Sequence, residues 1–309
     1  MKRIIVFRFH DHPMICQNRL KCLKQFNPSV KIYGLFGGIE KDFLKFHRKL
    51  MPWLEHCYCI RNKTRDWNWK NGDLALRSWF KDFGNTLSFD MLHLIEWDLL
   101  MVNDLETIYK GIPRNALGLT SFLPIQDVAS QWVWTSKEPY KSEFDAIITW
   151  AKDTYNYNLN PYGAQGPGIC IPKRFLELYS SIEIPELCND EVRIPLLGQI
   201  FGFDIYDTHF CNNWFMEQDH QIFHCQTQSY PEVRLSTVRR ELAKPSGSRV
   251  FHPFRTIMIL NRMDYIKRLL IATSRMARSS AKRFLYPTAN RFLYTKEGLT
   301  SKSYSKNIL

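Results

Sequence analysis

Long apolar runs are missing from this sequence, and so is a dense pattern of cysteines. No stretch approaches the roughly 20 apolar residues that a membrane-spanning helix requires. The apolar run at residues 4–9 is too short for a signal peptide and predicts a first strand instead. Eight cysteines in 309 residues do not make the disulfide framework of a small secreted domain. The sequence therefore predicts a folded protein in a reducing, cytoplasmic compartment.

The main body of the chain also lacks an excess of charge of either sign. Residues 1–238 carry 26 Lys and Arg and 27 Asp and Glu, whereas residues 239–309 carry 16 Lys and Arg against three acids. The formal net charge of +12 therefore comes from the C-terminal segment. A neutral body without RNA or DNA motifs argues against a nucleic-acid partner. The basic segment predicts an appended surface for anions.

Strand-like and helix-like patterns alternate along the first 122 residues. The apolar patterns predict strands at residues 3–9, 31–36, 57–60, 89–96 and 116–122, and helices at 16–25, 44–54 and 73–83. Alternation of this kind predicts an α/β fold with a mostly parallel central sheet flanked by helices.

An apolar run that ends on two acids is the most informative motif. Residues 89–95 lead into Glu96-Trp97-Asp98. In an extended chain, side chains two residues apart point to the same side. The carboxyl end of a buried parallel strand faces the crevice where ligands bind, so two acids there suit Mg²⁺ or Mn²⁺, which could hold a diphosphate. A strand end followed by a solvated acidic turn is the alternative.

The turn after the first predicted strand should face the same crevice. There Arg8 can bind a phosphate and Phe9 can stack on a flat base. The alternatives are an ion pair for Arg8 and a core position for Phe9. His10 and His12 also match the opening metal motif of some hydrolases.

The helix that precedes the acid-tipped strand carries Asp73 and Arg77 one turn apart. Its N-terminal end can return to the crevice. A helix salt bridge between the two side chains, worth a few tenths of a kcal/mol, is the alternative.

Three later segments could complete a site. Residues 163–169 are glycine-rich without the Gly-Lys-Ser/Thr of a P-loop, and they predict a turn or a close backbone approach to a ligand. Asp190 and Glu191 begin a predicted helix, where they act as N-terminal acids or as a general base. Residues 244–248 predict a flexible hinge that brings His252 to a metal or a phosphate.

The order of these features over residues 3–254 resembles that of nucleotide-sugar glycosyltransferases of the GT-A type. The resemblance implies that Glu96-Trp97-Asp98 stands in the place of the family's Asp-x-Asp element, with Glu in place of the first Asp. It implies that Asp98 and His252 bind the metal and that Asp190 or Glu191 is the catalytic carboxylate. The side chains expected around the donor are Arg8, Phe9, His10, Asp73, Arg77 and Glu96.

The same resemblance implies a divalent cofactor, Mn²⁺ or Mg²⁺, and a nucleotide-sugar donor. The acceptor would be a saccharide or a lipid-linked sugar, in polysaccharide or glycolipid synthesis. Residues 1–115 would form the donor half and residues 116–254 the acceptor half of one catalytic domain. Residues 255–309 would then be a basic, amphipathic helical tail.

Two other classes of function stay open. A metal-dependent hydrolase would use His10 and His12, together with metal ligands at several later strand ends. A non-catalytic protein would bind a membrane surface or a polyanion through the tail. The tail itself has two interpretations, because a basic amphipathic helix can lie on the anionic inner face of a membrane or pack on the catalytic domain.

Overall fold

The structure is a computed structural model that describes residues 1–211, 214, 221–226 and 230–259. The chain divides into one compact unit, Met1–Met258, and a second, Ile259–Leu309. Apart from its first five residues, the predicted tail at 255–309 lies outside the described residues. Across the described ranges, no helix is long and apolar enough to cross a membrane.

The described residues form a seven-stranded sheet and a separate two-stranded ribbon. The strands are β1 Arg3–Phe9, β2 Lys31–Phe36, β3 His56–Cys59, β4 Met91–Glu96, β5 Leu100–Met101, β6 Leu117–Pro124, β7 Tyr162–Pro172, β8 Ile205–Asp207 and β9 Val250–Phe251. The large sheet has the order β3-β2-β1-β4-β7-β6-β8, and β5 pairs with β9 in the ribbon. Within the large sheet β7 runs antiparallel to its two neighbours, while the other pairs are parallel.

Helices connect the strands and cover the sheet. They are α1 Pro13–Phe26, α2 Phe43–Leu50, α3 Arg65–Lys70, α4 Gly72–Asp82, α5 Leu105–Ile108, α6 Ile125–Val128, α7 Val133–Ser136, α8 Tyr140–Tyr155, α9 Lys173–Ser181, α10 Asp190–Ile200 and α11 Leu235–Leu242. Single 3₁₀ turns occupy Glu40–Asp42, Met51–Trp53 and Gly84–Thr86. The mostly parallel α/β sheet expected from the sequence is therefore confirmed.

Strand β1 shows why the sheet is buried on both faces. Ile5 and Phe7 belong to one apolar cluster, whereas Ile4 and Val6 belong to another. Because side chains alternate along a strand, the two clusters lie on opposite faces of the sheet. A strand buried on both faces has the continuous apolar sequence seen here, which is typical of parallel sheets covered by helices.

The glycine-rich turn predicted at residues 163–169 is wrong, because this segment lies inside β7. Large side chains from neighbouring elements pack against the strand backbone at its glycines. A side chain at Gly163 would lie 2.7 Å from the ring of Trp132. The glycines therefore serve interior packing along a strand, which the local sequence does not distinguish from a turn.

Candidate metal and carboxylate site

Strand pairing places the first two site residues side by side. Strands β1 and β4 are parallel neighbours, and Arg8 is the register partner of Glu96. Both lie at the carboxyl ends of their strands, the edge at which open α/β sheets bind ligands. Nη1 of Arg8 lies 3.4 Å from Oε1 of Glu96. The guanidinium therefore neutralises part of the charge at the tip of β4.

The ribbon brings His252 to Asp98 across 154 residues of sequence. Leu100 pairs with Phe251, and the backbone N–H of Phe254 donates to the carbonyl oxygen of Asp98 at 2.8 Å. These bonds fix His252 beside the acid, and its Nε2 lies 3.5 Å from Oδ1 of Asp98. Both side chains are buried, with 5% and 6% of their surface exposed.

A backbone contact sets the orientation of the His252 ring. Nδ1 lies 2.7 Å from the carbonyl oxygen of His224, so Nδ1–H donates to that oxygen in the neutral imidazole. Burial opposes a proton on Nε2, but the charge of Asp98 outweighs it and raises the pKa of His252. A metal would replace that proton on the lone pair of Nε2, which faces Asp98. An imidazole whose second nitrogen donates to a backbone carbonyl is the usual arrangement of a metal-ligating histidine.

Glu96, Asp98 and His252 together fit a divalent cation. One ligand atom from each lies within 4.8 Å of the other two, and it is the one such group among the described His, Cys, Asp and Glu residues. Two carboxylates and one imidazole suit Mn²⁺ well, and Mg²⁺ accepts the carboxylates. The group contains Asp98 and His252, the two metal ligands expected from the resemblance, together with Glu96. That they bind a metal stays a prediction.

Arg255 forms an ion pair with Asp98. Its Nε and Nη2 both lie 3.1 Å from Oδ2 of Asp98, and its guanidinium lies over the ring of Trp97. Burial opposes ionisation of Asp98, but His252 and then Arg255 outweigh it and lower the pKa of the carboxyl below its ordinary value. The carboxylate is thus ionised at neutral pH.

Arg8 also links the metal cluster to the start of helix α10. Its Nη1 donates to Oδ2 of Asp190 at 2.9 Å. A side chain at Gly72 would occupy the place of this guanidinium, since a Cβ there would lie 1.7 Å from Nη1. Burial raises the pKa of Asp190 to about 6, although the charge of Arg8 opposes the shift.

Glu191 lies next to this pair and is held by two donors. The indole N–H of Trp134 donates to Oε2 at 2.9 Å, and the backbone N–H of Gly166 donates to Oε1 at 3.1 Å. Burial, and then the charge of Asp190, raise the pKa of Glu191 to about 7. A carboxylate with a pKa near neutrality is well suited to general base catalysis.

Phe9 and the two histidines lie differently from the sequence-based expectation. Phe9 is fully buried and packs against Phe36 and Phe46, so it is a core residue and not a base-stacking platform. His10 lies edge-on to Trp97, and burial, then the charge of Arg8, lower its pKa to about 4. Neither His10 nor His12 belongs to the metal cluster among the described residues.

Asp73 and Arg77 do not pair with each other. Asp73 is fully buried and binds Arg193, whose Nε and Nη2 lie 2.7 and 2.6 Å from its two carboxylate oxygens. Arg77 donates to the carbonyl oxygens of Tyr179 and Ile182. The alternative interpretation, a helix salt bridge between the two side chains, is wrong, because both have closer partners on neighbouring elements. A role in donor binding stays a prediction for each.

Asp73→Asn should lower the free energy of unfolding by about 3–5 kcal/mol, because it leaves the buried Arg193 cation without its partner. Urea unfolding followed by circular dichroism measures this change. Asp145→Asn is the matched control, since Asp145 pairs with Lys141 at the surface and should leave the unfolding curve nearly unchanged. Equal curves for wild type and Asp73→Asn would contradict a structural role for this pair.

Sequence reasoning missed three functional candidates. Arg193, Trp134 and Arg255 act through contacts with residues 120, 57 and 157 positions away. No local pattern marks such partners.

Arg249 binds the segment that the sequence predicts as a hinge, residues 244–248. Its guanidinium donates to the carbonyl oxygens of Lys244, Gly247 and Ser248. Motion of this segment stays a prediction.

The chain is similar to glycosyltransferases of known structure. The galactosyltransferase LgtC, solved with donor and acceptor sugar analogues, matches 67% of this chain and 74% of its own at 15% identity, with a TM-score of 0.36. An active-site mutant of LgtC matches 85% of this chain and 94% of its own at 13% identity, with a TM-score of 0.42. Mouse xyloside xylosyltransferase 1 matches 83% and 99% at 12% identity, with a TM-score of 0.39.

No protein-family model and no curated protein matches the sequence.

Proposed function

We propose that this protein transfers a sugar from a nucleoside diphosphate to an acceptor hydroxyl, with Mn²⁺ or Mg²⁺ as cofactor. One observation carries the proposal: Glu96, Asp98 and His252 form a metal-type cluster, and Arg8 connects it to Asp190. Two carboxyl groups with raised pKa therefore lie beside the candidate cation site at the ligand-binding edge of the sheet.

The chemistry of sugar transfer needs both parts of this site. When bound to Asp98, Glu96 and His252, the cation supplies positive charge to the diphosphate leaving group. Arg8 forms ion pairs with both Glu96 and Asp190 and so keeps the two side chains in place. An acceptor hydroxyl must also lose a proton as it attacks the anomeric carbon, and a carboxylate within hydrogen-bond reach takes it.

Glu191 is the better general base of the two adjacent acids. The ion pair with Arg8 occupies Asp190, and an acid held by a cation is a weak base. Glu191 accepts two neutral N–H donors instead, and its pKa of about 7 matches the pH of the cell. In this scheme Asp190 orients Arg8, and Glu191 removes the proton.

A screen of donors tests the function. Nucleoside diphosphate sugars with different bases and sugars are incubated with the full chain, with and without Mn²⁺, and the released nucleoside diphosphate is measured. Release that requires metal and rises with added saccharide supports glycosyl transfer. Release of inorganic phosphate from simple phosphate esters, with no nucleoside diphosphate released from any nucleotide sugar, would favour the hydrolase alternative and contradict the proposal.

Trp134→Phe should move the pH dependence of kcat/KM to higher pH. The indole N–H binds the ionised form of Glu191 and so lowers its pKa. Without that bond the midpoint should rise by roughly 0.5–1 pH unit, the equivalent of one hydrogen bond. Trp67→Phe is the control, because its indole binds Glu186 instead. An unchanged midpoint in Trp134→Phe would remove Glu191 from the pH dependence.

We also propose that the C-terminal segment binds anionic membranes, where a lipid-linked acceptor would lie. Residues 260–309 carry 11 Lys and Arg against Asp264 and Glu297. Each basic residue near an anionic surface contributes about 1 kcal/mol, screened by salt. Deletion of residues 260–309 should therefore release the protein from phosphatidylserine vesicles in a sedimentation assay. Equal sedimentation of the full and the shortened chain would contradict this location.

A further inference from the structure

Helix α3 presents a large aromatic side chain to solvent next to the candidate site. Trp69 is 57% exposed, although tryptophan is highly buried on average. Its neighbour Trp67 is held by a bond from its indole N–H to Glu186 and by the Lys63 cation above its ring. No such polar bond explains the position of the Trp69 ring among the interactions of the described residues. The exposed part of the Trp69 ring is therefore open to a ligand beside the candidate site.

An aromatic contact with Trp134 connects Trp69 to the proposed base. Its ring lies 5.9 Å from the ring of Trp134, with an angle of 31° between their planes. Trp134 is buried, packs edge-on against Tyr140, and donates its indole N–H to Glu191. One ring, that of Trp134, thus separates Trp69 from the carboxylate of Glu191.

Arg8 fixes the backbone of Trp69 to the same site. Nη2 of Arg8 donates to the carbonyl oxygen of Trp69 at 3.3 Å, while Nη1 donates to Asp190 at 2.9 Å. The two contacts place the C-terminal end of α3 beside Asp190 and Glu191. One guanidinium therefore positions the metal cluster, the carboxylate pair and the aromatic surface together.

We propose that Trp69 is the stacking platform of an acceptor subsite that binds a pyranose ring. The inference rests on the proposed function, because it takes Glu191 as the acceptor-side base. A pyranose has C–H bonds on its faces and hydroxyl groups on its rim. The exposed aromatic face matches the C–H surface. The carboxylates of Asp190 and Glu191, to which Arg8 and Trp134 connect Trp69, can accept from the hydroxyl groups.

Saturation-transfer NMR on the full chain tests the platform without requiring catalysis. The probes are cellobiose and lactose, with uridine as a flat base, in the absence of metal and donor. Wild type should transfer saturation to the ring C–H protons of at least one saccharide. Trp69→Ala should weaken that binding about tenfold, the loss of one stacking contact, and Trp69→Phe should weaken it less.

Tyr206→Ala is the matched control, because Tyr206 is an aromatic residue that is 40% exposed on the distant edge strand β8. It should bind the saccharides like wild type. Equal saccharide signals in wild type and Trp69→Ala would overturn the proposal. The proposal would also be overturned if wild type transferred saturation only to uridine, or to none of the probes.

A separate titration distinguishes this failure from failure of the proposed function. Calorimetry of wild type with Mn²⁺ and nucleoside diphosphates measures the donor side alone. If the nucleotide binds with metal while the Trp69 variants leave saccharide binding unchanged, only the acceptor subsite is wrong. If no nucleotide binds, glycosyl transfer is wrong, and the acceptor subsite that rests on it falls as well.

Discussion

Asp98→Asn should lower kcat/KM for sugar transfer on the order of a thousandfold, the scale of losing one preorganised charge at a reacting group. Asp98 is the more buried of the two carboxylates in the candidate metal cluster, and it faces both His252 and Arg255. An amide keeps its size but removes the negative charge that attracts the cation. The loss should therefore appear in metal binding as well as in the rate.

A carboxylate at the opposite end of the same strand provides the control for this substitution. Asp90 precedes β4 and pairs with Arg114, as Asp98 follows β4 and pairs with Arg255. Asp90→Asn should leave metal binding and transfer unchanged. Thermal unfolding of both variants shows whether each still folds. Normal transfer by folded Asp98→Asn would contradict the metal site.

Glu191→Gln should lower kcat by about 100- to 10,000-fold, the usual contribution of a general base. The amide cannot take a proton, and its single oxygen can accept only one of the two bonds from Trp134 and Gly166. Donor binding should change little, because proton removal matters mainly in the transition state. In wild type, kcat/KM should fall about tenfold for each pH unit below about 7, since Glu191 is then protonated.

Glu186→Gln is the matched control for the base. Glu186 also accepts an indole N–H, from Trp67 at 2.7 Å, but its side chain is 53% exposed and pairs with Lys63. Its substitution should leave kcat and the pH profile unchanged. If Glu191→Gln retains full turnover while Asp190→Asn loses it, the roles assigned to the two adjacent acids are reversed.

Local patterns in the sequence were enough to predict the first half of the sheet. Strand β2 was predicted at residues 31–36 and is found at Lys31–Phe36, and the strand tipped by Glu96 is β4. These strands have continuous apolar sequences because helices cover both faces of the sheet. Strand β7 is not predicted by the sequence, because a glycine-rich segment is typical of a turn. Its glycines instead make room for Trp132 and Glu191, which are distant in sequence.

The candidate site was only partly predictable for a similar reason. Acids at a strand end have a local signature, so Glu96 and Asp98 could be selected from the sequence. The interpretation of Phe9 was wrong because an apolar residue at a strand end can face either the core or the crevice. Asp73 has a partner, Arg193, that comes from a helix 120 residues later. Tertiary packing alone brings such residues together.

Calorimetric titration of the full chain with UDP, GDP, ADP and CDP, each with and without Mn²⁺, tests the metal-dependent donor site most directly. At least one nucleotide should bind wild type tenfold or more tightly with Mn²⁺, a coupling of about 1.4 kcal/mol. The same nucleotide should show no such gain with Asp98→Asn and the full gain with Asp90→Asn. Binding of equal strength with and without Mn²⁺, or the same gain in Asp98→Asn, would contradict a donor site built on Asp98.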